Sequence, residues 1–190
     1  MYATDKVRDA LQERKIDLGH AELLARCRKE AQDEALSKLL QAPKLPSVAD
    51  LKVSIERAAL LLEQAIFDKS GCLTCHHNSA NQGALFADTI TDGRCTNKQC
   101  FEDKTEAEVK ARADALVDEF QQVRIVRPGE NLVVIPLVAD GPKGVGTEQA
   151  QACRGCKDFG AVVSASPDKL GKVFKNICMN VPCNTNHVKA

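Results

Sequence analysis

The chain has 190 residues, with 26 basic and 26 acidic side chains, 44% apolar residues, 4% aromatics and no Trp. Zero formal net charge excludes a chain-wide cationic footprint for nucleic acid, and no apolar run approaches the ~18 residues of a membrane span. Aliphatic cores with few aromatics suit a soluble helical protein, helped by bound metal where the core is thin.

Residues 1–69 read as helices. Val7 and Leu11 share a face at i, i+4, and Glu13-Arg14-Lys15 forms a charged end. Asp17 is placed to cap a second helix that carries Ala21, Leu24, Cys27 and Arg28 at helical spacing. A third stretch, Gln32 to Gln41, groups Leu36, Leu39 and Leu40 before Pro43 and Pro46 break the chain. Ser47 then caps a fourth helix, with Asp50 in the place where a capping box usually has Glu or Gln. Its stripe runs through Leu51, Ile55, Ala58, Leu62 and Ile66 and is read as core packing. Cys27 stands alone and is expected to act as a small buried hydrophobe.

Residues 70–122 hold the first cysteine set. Asn81 to Ile90 is expected to be a short helix or strand pair, and Asp92-Gly93 a turn. Thr105 is read as the cap of a helix through Glu106, Val109, Ala113, Leu116 and Phe120. Residues 123–190 begin with a predicted hairpin, Val123–Val126 and Leu132–Ile135 flanking a Pro-Gly turn. The segment Gly141-Pro142-Lys143-Gly144-Val145-Gly146-Thr147 lacks the Lys-Ser/Thr ending of a phosphate-binding loop and reads as a connector. A strand at Ala161–Val163 and a helix from Asp168 to Asn176 complete the expectation.

Eight of the nine cysteines form one pattern twice. The first set is Cys72, Cys75, Cys95 and Cys100; the second is Cys153, Cys156, Cys178 and Cys183. Each opens C-x-x-C and closes C-x-x-x-x-C, with 19 residues between the pairs in the first set and 21 in the second. A C-x-x-C turn aims two thiolates at one point, and a second pair completes a tetrahedron around Zn²⁺. Four thiolates leave no open coordination position, so two structural zinc ions are expected rather than catalytic ones. Two such sites would add about −4 to the charge by simple counting. Iron in the same ligand set is equally compatible with the spacing. Disulfides are disfavoured because the first twenty residues lack the apolar core of a signal peptide. Redox chemistry at Cys153-Arg154-Gly155-Cys156 would need no downstream pair. His76 and His77 follow the first turn, but four thiols already fill a structural site. His76-His77-Asn78 also fails as an HNH nuclease motif, since the next His is His187.

The run ALQERKIDLGHAELLARCRKEAQDEALSKLLQAPKLPSVADLKVSIE, from Ala10 to Glu56, resembles the helical DNA-binding domain of ParB-type partition proteins. The phrase Lys15-Ile16-Asp17-Leu18-Gly19-His20-Ala21 and the Ser47-Val48 pair before a long helix carry that resemblance. The cysteine blocks and VRIVRPGENLVVIPLVADGPKGVG resemble the zinc-bearing extension of the ParB-like protein of the PRTRC plasmid gene cluster. In that family a nuclease-like domain, which binds CTP in many members, and the base-reading helix come first. They would lie before Met1, so the chain is expected to begin after the recognition helix.

The resulting expectation is an α+β chain with a helical bundle at 1–69, a first Cys₄ zinc module at 70–122 and a hairpin with a second module at 123–190. The resemblance implies a non-enzymatic, cytoplasmic partition protein for plasmids or chromosomes. DNA and other partition proteins are its implied partners, self-association is compatible with it, and no membrane is involved. Lys15, His20 and Arg26 are candidate DNA-backbone contacts; as solvated helix faces they would need no function. The rival readings are a zinc-dependent protein-interaction module without DNA contact, and a redox protein using its C-x-x-C pairs.

Overall fold

Four short helical segments open the chain: α1 (Asp5–Gln12), α2 (Leu18–Ala25), α3 (Lys29–Gln41) and α4 (Val48–Ala58). The computed structural model describes residues 3–81, 93–130 and 133–188. The chain divides into two compact units, Met1–Asp103 and Lys104–Ala190. The α+β expectation holds. The expected Asn81–Ile90 element and the Asp92 half of the turn fall almost wholly outside the described residues.

In the first unit, Val7, Ala10, Ile16, Ala21, Leu24, Leu36 and Leu39 form a buried aliphatic core. Gln32 is fully buried beside it, and its polar atoms are satisfied: its Oε1 accepts from the Thr4 N–H at 2.9 Å, and its Nε2 donates to the Cys27 carbonyl at 2.9 Å. The Ser47 cap forms, with the Asp50 N–H donating to Ser47 Oγ at 3.2 Å and the Ser47 N–H to the Asp50 carboxylate at 3.3 Å. The α4 stripe differs from expectation. The helix stops at Ala58, and Ala59 is extended at φ −80°, ψ 143°. Leu60–Leu61 becomes β1, paired antiparallel with β2 (Arg94–Cys95), so Leu62 turns into a second core with Phe67, Cys95 and Phe101. Phe67 and Phe101 meet edge to face at 5.2 Å. No α4 side chain is fully buried, but Leu51 packs half-buried against the aliphatic core, and Leu62 reaches the second core from beyond the helix.

The β1–β2 pair and the Thr96 hydroxyl, which donates to the Arg26 carbonyl at 3.3 Å, tie the first cysteine module to the helices. The boundary expected at 69/70 is therefore absent, and the chain divides after Asp103. The helix expected to start at Thr105 begins earlier, as α5 (Lys98–Asp114), because Asn97 supplies the cap.

The second unit is built on a sheet of β3 (Gln122–Val126), β4 (Ile135–Pro136), β5 (Phe159–Ser164) and β6 (Val173–Cys178), in the order β3-β5-β6-β4. All six β5 residues are buried, and β5 takes neighbours on both edges, β3 parallel and β6 antiparallel. This overturns the predicted hairpin: β3 and β4 lie at opposite edges and do not pair. Pro136, which lacks an N–H, suits an edge strand. The helix expected at 168–176 is also corrected. Pro167–Lys169 makes one 3-10 turn, Gly171 adopts φ +70°, and the chain then pairs with β5 as β6. A left-handed glycine ends helical runs, and here it turns the chain into a strand. The boundary expected at 122/123 is absent too. Phe120 packs on Phe159 at 5.7 Å, and Arg112 donates to the Gly171 carbonyl at 2.8 Å.

Close approach between β3 and β5 depends on Gly160. A Cβ there would sit 1.9 Å from the Gln122 carbonyl oxygen. Gly160→Ala should destabilise the second unit by about 1–3 kcal/mol, as overpacking does. Chemical denaturation monitored within residues 104–190 would measure it, and a midpoint equal to wild type would contradict the close β3–β5 packing.

Candidate metal centres

The two cysteine sets sit on equivalent scaffolds. Cys72 closes a 3-10 turn (Ser70–Cys72), and Cys153 closes α6 (Thr147–Cys153). In each case the second cysteine donates its N–H to the carbonyl of the first, Cys75 to Cys72 at 3.3 Å and Cys156 to Cys153 at 3.0 Å. Three residues on, Asn78 donates to the Cys75 carbonyl at 3.0 Å and Phe159 to the Cys156 carbonyl at 2.9 Å. These bonds curl each C-x-x-C into a tight turn.

The second pair of each set sits at a strand-to-helix corner. Cys95 ends β2 and Cys100 is the third residue of α5; Cys178 ends β6 and Cys183 is the third residue of α7 (Val181–His187). Asn97 and Asn180 cap the two helices, their side-chain oxygens accepting from the Cys100 N–H at 3.1 Å and the Cys183 N–H at 3.0 Å. The Cys95 and Cys178 thiols donate to the Asn97 and Asn180 carbonyls at 3.4 and 3.5 Å.

One further bond joins turn to corner in each module. The Thr96 N–H donates to the His77 carbonyl, and the Met179 N–H to the Asp158 carbonyl, both at 2.9 Å. Strand bridges align the same places, Asn78 with Cys95 and Phe159 with Cys178. The modules therefore share the same hydrogen bonds and the same bridge, residue for residue. In both modules a tight turn is followed by a cysteine pair at a helix start.

One thiol of each set is raised. Burial pushes the Cys95 thiol up; the Asn97 carbonyl bond pulls against this, and Cys100, Cys75 and Cys72 each add to the rise. Cys178 is raised the same way, by burial first, with Asn180 opposing and Cys153, Cys183 and Cys156 adding. All nine cysteines are free thiols. Among the described residues no group of three or more His, Cys, Asp or Glu side chains is closed to metal-binding distance. The donor set and its backbone cradle fit a four-coordinate thiolate site. In the second module the Gln149 amide donates to Cys153 Sγ at 3.3 Å and the Asp158 N–H to Cys156 Sγ at 3.4 Å.

His77 is nearly buried, stacks near His76 with ring centres 4.1 Å apart, and places Nδ1 3.3 Å from Thr96 Oγ1. Burial, then the neighbouring His76, lowers its pKa. The candidate DNA contacts do not form one exposed cluster. Lys15 is exposed and pairs with Glu13 at 2.6 Å. His20 is 2% exposed; its Nε2–H donates to the Pro46 carbonyl at 2.9 Å and its Nδ1 accepts from the Asp17 N–H at 3.2 Å. Both ring nitrogens are used in holding the helices. Arg26 is half-buried, and its carbonyl receives the Thr96 hydroxyl.

Asn97 and Asn180 are capping positions of the two corners that the sequence reading does not single out. Their signal is C-x-N-x-x-C, in Cys95–Cys100 and again in Cys178–Cys183. Comparison with family models, curated proteins and solved structures finds no match for the chain.

Replacing either cap should be felt locally. Asn97→Ala and Asn180→Ala should each cost about 1 kcal/mol, the usual loss for an N-cap. Thermal melts of the two variants would read it, and unchanged midpoints in both would show that the corners are held by other groups.

Proposed function

We propose that this protein is a non-enzymatic, two-zinc scaffold that works by contacting other macromolecules. The duplicated cradle carries the reading: two four-thiol sets stand on the same hydrogen-bond frame. Zinc bound there would lock each turn to its corner and supply apparent binding energy of about 10–16 kcal/mol near neutral pH. The sulfurs must lose their protons to bind, and burial raises the Cys95 and Cys178 thiols. Metal affinity should therefore fall as pH falls. DNA partition is the setting implied by the resemblance of Ala10 to Glu56 to ParB-type proteins, and a cytoplasmic location follows from the same reading. Among the described residues no helix is long and apolar enough to cross a membrane.

Metal-replete protein should contain two zinc ions per chain by elemental analysis. A visible charge-transfer spectrum in place of a colourless protein would assign iron instead. One metal or fewer per chain would remove the proposal.

Cys153→Ser or Cys178→Ser should unfold the Lys104–Ala190 unit and spare Met1–Asp103, whose aliphatic core is its own. Limited proteolysis would separate the outcomes, and simultaneous loss of both units would contradict the division.

DNA binding by this chain should be weak and unselective, because the net charge is zero and phosphate neutralisation by Lys and Arg supplies most non-specific affinity. Fluorescence anisotropy against partition-site and scrambled duplexes at two salt concentrations tests this. Tight, selective binding would place a DNA-reading surface on these 190 residues.

A further inference from the structure

The sheet of the second unit has one blunted edge and one open edge. Its β4 edge is two residues long and includes Pro136, both features that discourage further pairing. The β3 edge is five residues long and pairs only with β5 among the described residues. The Val126 carbonyl accepts from the Ala165 N–H at 2.8 Å, and the Gln122 carbonyl faces Gly160. Backbone groups of a strand alternate in direction, so those of Gln122, Arg124 and Val126 point to β5 and those of Val123 and Ile125 point away. Outside that ladder, no described residue bonds to the N–H and C=O groups of Val123 and Ile125. Arg127 ends the open stretch: its N–H donates to the Glu130 carboxylate at 3.3 Å, and its carbonyl accepts from the Glu130 N–H at 3.1 Å.

A groove of about 320 Å³ runs beside this edge. Val123 and Ile125 form one wall, and Ala113 of α5 with the exposed Val117 beyond it forms the other. Arg124 lies between Val123 and Ile125, so its side chain projects from the opposite face of the sheet. It is exposed and makes no ion pair or hydrogen bond among the described residues. The edge therefore offers backbone groups at the spacing of a second strand, an apolar slot on one face and an uncompensated cation on the other. A second copy of β3 fits this edge poorly. Antiparallel pairing about Arg124 would set two arginines directly opposite each other, and like charges there destabilise. Pairing about Ile125 would call on the Arg127 backbone groups that the turn to Glu130 already uses.

We infer that β3 receives an extended, acidic segment of a partner protein, added antiparallel to the sheet. Main-chain bonds to Val123 and Ile125 hold the segment, and pockets for alternate side chains select it. Its residues opposite Val123 and Ile125 are apolar and enter the groove. The residue between them is Asp or Glu and faces Arg124, giving an apolar-acidic-apolar pattern. The inference names a partner for the contacting role proposed above, yet β3 itself carries no cysteine.

The test is an NMR titration of the isotope-labelled full chain with the end-blocked peptide Ser-Thr-Val-Glu-Val-Thr-Ser, taken to millimolar concentration. Zinc is measured on the same sample, so a chain that holds its metal but ignores the peptide removes this inference and leaves the metal reading standing. The Val123 and Ile125 amide signals should move most. A peptide with Lys in place of Glu should bind about threefold more weakly, the scale of a cross-strand charge pair. Arg124→Glu should reverse that preference, and because Arg124 is exposed the variant should keep the wild-type circular dichroism melt. Methylating the two valine amides of the peptide keeps its side chains but removes two ladder donors, and should weaken binding about tenfold. Unmoved Val123 and Ile125 signals, indifference to amide methylation, or an unchanged charge preference in Arg124→Glu would overturn the inference. So would sedimentation showing a dimer that excludes the peptide, which would give the edge to a second copy.

Discussion

The structure depends on one backbone hydrogen bond made twice: a carbonyl two residues beyond each C-x-x-C accepts the N–H that follows the third cysteine. His77 receives Thr96, and Asp158 receives Met179. Each bond joins segments that are far apart in sequence and brings a turn against a strand-to-helix corner. Without it the four thiols of a set would be carried on two more loosely linked pieces. With it, the remaining bonds of the cradle follow from local chemistry: the tight turn from i, i+3 bonds, the helix start from an asparagine cap.

The two modules use this frame in different surroundings. The first corner continues into the pairing of Leu60–Leu61 with Arg94–Cys95 and into a small core around Phe67 and Phe101. The second corner ends β6, whose neighbour β5 is buried throughout. Apolar burial therefore supports the second module more fully than the first. Metal would matter in both, because each corner rests on a helix start and a few backbone bonds. The buried His20 and Gln32 play the matching role in the helical part, fixing its geometry through hydrogen bonds that no aliphatic contact could direct.

Much of this is legible in the chain. The helix starts at Asp17 and Ser47 follow cap chemistry, and the cysteine spacing announces two sets that the fold mounts on equivalent turns and helix-start corners. Other features depend on partners distant in sequence. Leu62 and Ile66 continue a helical period, but pairing with Arg94–Cys95 offers the preceding residues better-satisfied backbone groups, and the helix yields. Val123–Val126 and Leu132–Ile135 look like a hairpin because they are neighbours in sequence. The buried β5 strand, written as Phe159-Gly-Ala-Val-Val-Ser164, outcompetes that local pairing for β3. The stretch after Asp168 reads as helix until Gly171 adopts its left-handed angle. The Asn97 cap is hard to see in the sequence because Thr105 offers a more familiar helix start about two turns later.

The proposed role of each duplicated cradle is to hold one ion by four sulfurs. X-ray absorption at the zinc edge of the metal-loaded protein tests this most directly. Two equivalent Cys₄ sites predict a single shell of four sulfur neighbours at about 2.3 Å. A shell containing nitrogen or oxygen at about 2.0–2.1 Å would contradict it, because His76, His77 or solvent would then be completing a site that the cysteine corners fail to close.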